Sequence, residues 1–243
     1  MGRRRLDAEL VRRGLVDSRE QAKELIAAGQ VLVAGAIADK PARQVSAAEP
    51  VELRGPKPRF VSRGGEKLDA ALSYFAVDPA GRAALDAGAS TGGFTDCLLQ
   101  RGAAHVTSVD VGHGQLHERL RADPRVTVVE RTNIRGFEGG PYPLVVADLS
   151  FISLRTVAPD LLRLAGPGAD VVALVKPQYE AGRAEAAKGR GVISDPEVWR
   201  RVLNDVVSAL NDAGAAMMGV MVSPLKGADG NVEFLAHFTK RAD

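Results

Sequence analysis

Apolar positions along the chain follow two rhythms, and the change between them near residue 64 sets its organisation. In the first part Leu6, Leu10 and Val11 recur at helical spacing up to Gly14, and Ser18 precedes a second run carrying Ala22, Leu25 and Ile26 that Gly29 stops. That spacing predicts two short helices, the second capped by Ser18, with short strands around 31–35 and 50–55. From Gly64 onward, strand-length apolar runs alternate with helical stretches: AALDAG at 83–88, HVTSVDVG at 105–112, VTVVERT at 126–132, LVVADLSF at 144–151 and DVVALVKP at 170–177. Two further apolar segments, 215–224 and 231–240, flank the turn KGADGN and predict an antiparallel hairpin at one edge. Alternating strands and helices with right-handed crossovers predict a doubly wound α/β sheet. The chain therefore reads as a small α+β module over 1–54, a linker over 55–63 with two prolines and a glycine, and an α/β domain over 64–243. Phe60 in the linker reads either as a hinge-packing aromatic or as a core anchor.

Composition narrows the class. A chain of 243 residues, 45% of them hydrophobic, holds one medium domain and an appendage, each with a core. The single cysteine, Cys97, excludes a disulfide framework, fits a reducing, cytoplasmic compartment, and reads as packing. His105, His113, His117 and His237 are scattered without cysteine partners at ligand spacing, so no metal site is expected. No apolar run follows the basic start MGRRRLDAEL, and VVALV at 171–175 is far shorter than the roughly 18 residues of a spanning helix, so neither a signal peptide nor a membrane segment is expected. Net charge is +2, yet residues 1–61 hold 12 Lys/Arg against 8 Asp/Glu. That basic excess points the small module toward a polyanion.

The stretch LDAGASTGGFTDCLL at 85–99 has the order strand, glycine turn, helix. Glycines there let backbone N–H groups approach a nucleotide-like ligand at the mouth of a parallel sheet. The spacing is GxSxGG, not GxGxxG, and no Lys-Ser/Thr pair follows, so a cofactor without a pyrophosphate fits better. S-adenosyl-L-methionine is the commonest such cofactor. Candidate binding positions are Asp86, Gly88, Ala89, Ser90, Thr91, Gly92, Gly93 and Phe94. Asp110, about twenty residues beyond the turn and ending the second strand, is placed to accept both hydroxyls of a ribose.

Two resemblances add to this reading. Residues 5–53, with SR-x-x-A, a G-x-V-x-V-x-G hairpin and a closing Pro-Val-x-Leu, are similar to the S4 RNA-binding domain. Arg4, Arg5, Arg12, Arg13, Arg19 and Lys23 lie on or beside its two helices, where they can meet RNA phosphates. In the larger domain Lys67, Asp148, Lys176 and Glu233 resemble the Lys-Asp-Lys-Glu quartet of RNA ribose 2′-O-methyltransferases of the FtsJ/RrmJ type. The words VSRGG-x-KL, GASTGGFTD, DLSFISL, LVKPQ-E and GN-EF are closer still to the TlyA family, also called haemolysin in older naming, over almost the whole chain. Where the mycobacterial members of that family carry a tryptophan in an Arg-x-Trp-Val word, this chain has Phe60 before Val61, with Arg59 directly preceding it.

The resemblance implies a Rossmann-like class I methyltransferase domain behind an S4 domain. It implies S-adenosyl-L-methionine as cofactor and ribosomal RNA or ribosomal subunits as partner, methylated on ribose 2′-hydroxyls of cytidine, with a monomer favoured. It places Gln115 and Leu116 beside the adenine and Asn133 at its amino group, with Asp148 on both cofactor and substrate. Arg63 and, in the glycine-rich stretch 180–194, Arg183, Lys188 and Arg190 are further candidates for RNA contact. A sulfonium methyl is already activated, so the protein must mainly align a 2′-oxygen and remove its proton. An ordinary lysine is neutral in only about one molecule in 10³ at pH 7. Lys176 therefore acts either as the base or as a charged stabiliser of the developing alkoxide. Two other readings stay open at this point: a non-catalytic RNA-binding assembly factor, and a membrane-active haemolysin.

Overall fold

A computed structural model of the chain describes residues 3–16, 18–55, 58–227 and 229–242, without the side chains of residues 183 and 186. It divides into two compact units, Met1–Ser62 and Arg63–Asp243.

In the first unit β1 (Arg4–Arg5) runs into α1 (Leu6–Arg12), then α2 (Arg19–Ala27), β2 (Val31–Val33), β3 (Ala36–Ile37), β4 (Gln44–Val45) and β5 (Val51–Leu53). Ser18 caps α2 as its sequence position predicts, its Oγ accepting the Gln21 N–H at 3.2 Å. The strand expected over 31–35 is shorter because Ala34 and Gly35 both turn through positive φ into β3. Leu6, Leu10, Ala22, Ile26, Val31 and Val33 form the core.

The basic residues of this unit are less free than their sequence positions suggest. Asp7 and Glu9 are buried on α1 and collect four of the six expected RNA contacts. Arg5 and Arg19 bond Asp7 at 3.0 and 2.8 Å, and Arg12 bonds Glu9 at 2.6 Å, with their outer faces still half-exposed. Arg13 is a correction. Its guanidinium donates to Glu9 and to the carbonyls of Ser46, Ala47 and Glu49 and is only 18% exposed, so it fastens α1 to the 46–49 turn instead of facing phosphate. Lys23 pairs with Glu20 on the surface and Arg4 is exposed.

Burial alone would raise the Asp7 carboxyl, but hydrogen bonds from Arg5 and Arg19 outweigh it and hold it near 2. Hydrogen bonds from Arg12 and Arg13 likewise hold Glu9 at about 2. Carboxyls lowered in the fold contribute stability that is present above their unfolded values near 4 and lost as pH falls through their folded values. Acid titration followed by amide NMR is expected to melt α1 between about pH 4 and pH 2, with Asp7→Asn removing part of that slope. An α1 that keeps full dispersion at pH 2 contradicts this.

In the second unit α3 (Arg63–Tyr74) leads into β6 (Ala83–Ala87), α4 (Gly93–Gln100), β7 (His105–Val109), α5 (Glu118–Arg121) and β8 (Val126–Val129). A 3₁₀ turn (Ile134–Gly136) then precedes β9 (Tyr142–Ala147), α6 (Leu154–Leu164), β10 (Ala165–Val175), α7 (Pro177–Glu180), α8 (Arg183–Lys188), α9 (Pro196–Asp212), β11 (Ala215–Val222) and β12 (Phe234–Lys240). The sheet order is β11-β12-β10-β9-β6-β7-β8, with every strand running the same way except β12, which is antiparallel to both of its neighbours, β10 and β11. Its central strands read as continuous apolar runs because helices cover both faces: Leu144–Ala147 and Val171–Val175 are buried throughout. On α9, Val198, Val202, Val206 and Leu210 recur every four residues and turn one stripe into that core.

The chain starts at β6, builds outward to β8, and returns to β9 on the other side of β6. The order reverses between β6 and β9, and a doubly wound sheet opens a crevice at the carboxyl ends of the strands at such a point.

Candidate active site

The crevice is shaped by the turn after β6. Gly88 has φ +89°, and a Cβ there would lie 2.5 Å from the Asp148 carbonyl oxygen, so only glycine lets the ends of β6 and β9 approach this closely. Gly92 has φ +97°, and a Cβ there would strike Leu120 and Leu116. The carboxylate of Asp110 organises the other wall, Oδ2 accepting the Ser90 N–H at 2.8 Å and Oδ1 the Gly112 N–H at 2.6 Å. A carboxylate offers about four lone-pair sites, so Asp110 retains acceptor capacity for hydroxyls.

These residues surround a cavity of about 500 Å³. Of the positions expected at a cofactor, Gly88, Ser90, Asp110, Gln115, Asn133 and Asp148 line it. The others serve it from behind. Leu116 is buried against Gly92, so it supports the glycine turn and does not border the cavity. Ala89, Gly93 and Phe94 are buried outside the cavity wall, as are Gly92 and Asp86, and Thr91 lies off the wall as well. Asn133 combines two roles that sequence treats as alternatives: its side-chain oxygen caps the 3₁₀ turn, accepting the Arg135 N–H at 3.1 Å, and the residue faces the cavity.

Asp86 sits fully buried at the end of β6. Thr95 Oγ1 donates to its Oδ2 at 2.6 Å, whereas Oδ1 has no hydrogen-bond partner among the described residues. Burial pushes this carboxyl up to about 7, with the charges of Asp148 and Asp110 adding to the rise and hydrogen bonds from Thr95 opposing it. A glycine cradle with the carboxylates of Asp110 and Asp148 on the cavity wall suits a ligand that carries positive charge and a ribose, and the donor set therefore fits S-adenosyl-L-methionine.

Beside the cavity stand two ion pairs. Lys67 on α3 reaches Glu233 at 2.5 Å, both side chains nearly buried. Lys176 contacts Asp148 Oδ1 at 2.5 Å, at an angle too poor for a hydrogen bond, and donates to Ser150 Oγ at 3.0 Å. Sheet register explains why they meet. Ala147 pairs with Ala173 and Val175 pairs with Phe234, so Asp148, Lys176 and Glu233 leave three adjacent strands at the same edge. Gly227 gives Glu233 its room, since a Cβ there would lie 2.6 Å from Oε1. All four quartet positions therefore gather at the carboxyl edge, with Asp148 also in the cavity wall.

Two aromatic residues escape the sequence reading. Phe151 is 90% exposed at φ +65° on the cavity rim, and its ring packs 5.3 Å from Tyr179, over which Lys176 Nζ lies at 5.9 Å. The available signal was an aromatic in the loop directly after Asp148, a place where apolar side chains have no core to enter. The stretch 180–194 is also more ordered than a glycine-rich connector suggests, since α8 occupies its centre. Asn231 ties the later part down, donating to the Gly191 carbonyl and accepting the Ile193 N–H. Lys188 and Arg190 are exposed there, Lys188 paired with Glu185, and Arg63 is exposed at the start of α3. The side chain of Arg183 lies outside the described residues.

Comparison with known proteins agrees with the geometry. Residues 60–240 match the FtsJ-like methyltransferase family and residues 4–51 the S4 domain. The 16S/23S rRNA (cytidine-2′-O)-methyltransferase TlyA of Mycobacterium tuberculosis is 52% identical over 99% of this chain and 91% of its own. Hemolysin A of Brachyspira hyodysenteriae is 38% identical over 96% of this chain and 99% of its own. A solved structure titled "Putative hemolysin from Streptococcus thermophilus" superposes with a TM-score of 0.80 at 41% identity, covering 100% of this chain and 90% of that one.

Because Gly88 holds a left-handed conformation against the Asp148 carbonyl, Gly88→Ala is expected to weaken S-adenosylmethionine binding at least tenfold in a calorimetric titration and to lower the melting temperature. Wild-type affinity in that variant would remove the cradle from the site.

Proposed function

The chain belongs to the TlyA family of FtsJ-like methyltransferases with an N-terminal S4 domain, and from that membership we propose that it methylates ribosomal RNA on the ribose 2′-hydroxyl of cytidine. The observation that supports this most is the meeting of Lys67–Glu233 and Lys176–Asp148 at one sheet edge beside the glycine cradle. Bound S-adenosyl-L-methionine supplies an electrophilic methyl group. Gly88, Ser90 and Asp110, which line the cavity with Gln115 and Asn133, would hold its nucleoside end.

The protein's own task is to present the 2′-oxygen along the line of transfer. Lys176 lies 2.5 Å from Asp148 at the cavity, where it would direct the hydroxyl toward the methyl group that the bound cofactor would supply. The hydroxyl proton leaves either to a neutral Lys176 amine or to solvent, with the charged ammonium steadying the alkoxide in the second case. Asp148 keeps the Lys176 ammonium at the cavity, and Glu233 does the same for Lys67. Unsatisfied buried charge is costly, so each carboxylate fixes its lysine in register.

Recognition of RNA draws on the first unit, where Arg5, Arg12 and Arg19 keep exposed faces, and on Lys188 and Arg190 of the second. Phe151 offers a ring on which an unstacked base can lie. Ribosomal RNA places the work in the cytoplasm. Among the described residues no helix is long and apolar enough to cross a membrane.

Lys176→Ala is expected to abolish methyl transfer to ribosomal RNA while binding S-adenosylmethionine within about threefold of wild type. Tritium transfer and calorimetry read the two quantities separately, and full activity in that variant removes Lys176 from the mechanism.

A further inference from the structure

Glu180 is a buried carboxylate that the quartet does not use. It ends α7, the single turn that follows Lys176, and points back at the start of α6. Its Oε1 accepts the Leu154 N–H at 2.7 Å and its Oε2 the Ser153 hydroxyl at 2.5 Å. Ser153 Oγ in turn accepts from the Arg155 N–H and from Arg155 Nε, both at 3.2 Å. Arg155 closes the ring by donating from Nη2 to the Glu180 carbonyl at 3.1 Å. The two carboxylate oxygens are thus committed to Ser153 and Leu154, and Arg155 Nε lies 3.6 Å from Oε2.

Those three residues terminate the loop that carries Asp148, Ser150 and Phe151. At its other end the same loop is held by Lys176, through Asp148 and Ser150. The α7 turn therefore grips the loop twice, once through the lysine that precedes it and once through the glutamate that ends it. Between the grips lies Phe151, a non-glycine residue at φ +65° with an exposed ring. Backbone in that region persists only where its surroundings over-determine it. The Tyr179 ring against Phe151 supplies one support from α7, and Glu180 supplies the anchor three residues downstream.

We propose that Glu180 is a positioning residue for methyl transfer, its buried carboxylate fastening the Asp148–Ser153 loop to α7 so that Asp148 stays against Lys176 and Phe151 stays at the cavity rim. Burial pushes this carboxyl up from its ordinary value against the hydrogen bonds of Ser153, Leu154 and Arg155, which is the cost of placing it there. A surface contact would cap α6 without that cost. The inference rests on the methyltransferase reading of the site.

The test compares Glu180→Ala with Glu180→Gln in the full chain. Each variant is assayed for methyl transfer to ribosomal RNA, for S-adenosylmethionine affinity and stoichiometry by calorimetry, and for melting temperature. For Glu180→Ala, kcat is expected to fall at least fivefold while one cofactor still binds per chain within threefold of wild-type affinity. For Glu180→Gln, whose amide oxygen still accepts from Leu154 but whose NH2 cannot accept the Ser153 hydroxyl, kcat is expected to fall by a smaller factor than in the alanine variant. A smaller loss in the alanine variant, or an equal loss in both, overturns the proposal. Should the alanine variant fail to fold, Ser153→Ala decides: a kcat at least twofold lower at unchanged cofactor stoichiometry supports the anchor, and an unchanged kcat overturns it. A wild-type protein that transfers no methyl to RNA would instead refute the underlying function.

Discussion

Two ammonium groups and two carboxylates gather at one end of the sheet, one pair nearly buried and the other half-buried at the cavity, and each charge lies beside its opposite. Removing a charge from water costs several kcal/mol after relaxation, which attraction offsets only at short range and in good geometry. Lys67 meets that requirement by hydrogen-bonding Glu233 at 2.5 Å, whereas Lys176 lies 2.5 Å from Asp148 and donates its hydrogen bond to Ser150. The constraint reaches far into the fold. β9, β10 and β12 must end at the same level, α3 must present Lys67 to the start of β12, and the 223–233 turn must leave room for the Glu233 carboxylate beside Gly227.

The cofactor side of the crevice obeys a second, steric condition that shares a residue with the first. Asp148 presents its carboxylate to Lys176 and its carbonyl to the space above Gly88. The glycine turn and the ion pair are therefore not independent features. A side chain at position 88 would push β9 away from β6 and carry Asp148 with it. That coupling ties the shape of the glycine cradle to the position of the carboxylate beside Lys176.

Much of this was legible in sequence for a definite reason. Strand ends are marked locally, by apolar runs that stop at a charge, so Asp110, Asp148 and Lys176 announce the carboxyl edge without any knowledge of pairing. The antiparallel hairpin at the end of the chain brings Glu233 to the same edge by the topology alone. What stayed hidden depends on partners distant in sequence or on backbone conformation. Arg13 looks like Arg12 on a helix face until Glu9 and the carbonyls of the 46–49 turn consume its donors. Leu116 looks like a lining residue until the missing side chain of Gly92 makes a place for it. The exposure of Phe151 follows from a left-handed φ that no propensity favours for phenylalanine, and the grip of Glu180 on Ser153 and Leu154 spans 26 residues or more.

The central claim is chemical: this edge delivers a methyl group to a sugar oxygen. Its most direct test is nucleoside mass spectrometry on unmodified ribosomal subunits incubated with the purified protein and methyl-labelled S-adenosylmethionine. The account predicts label on the ribose of a cytidine, released as a 2′-O-methylated nucleoside. Label on a base, or no label on RNA from either subunit, contradicts it.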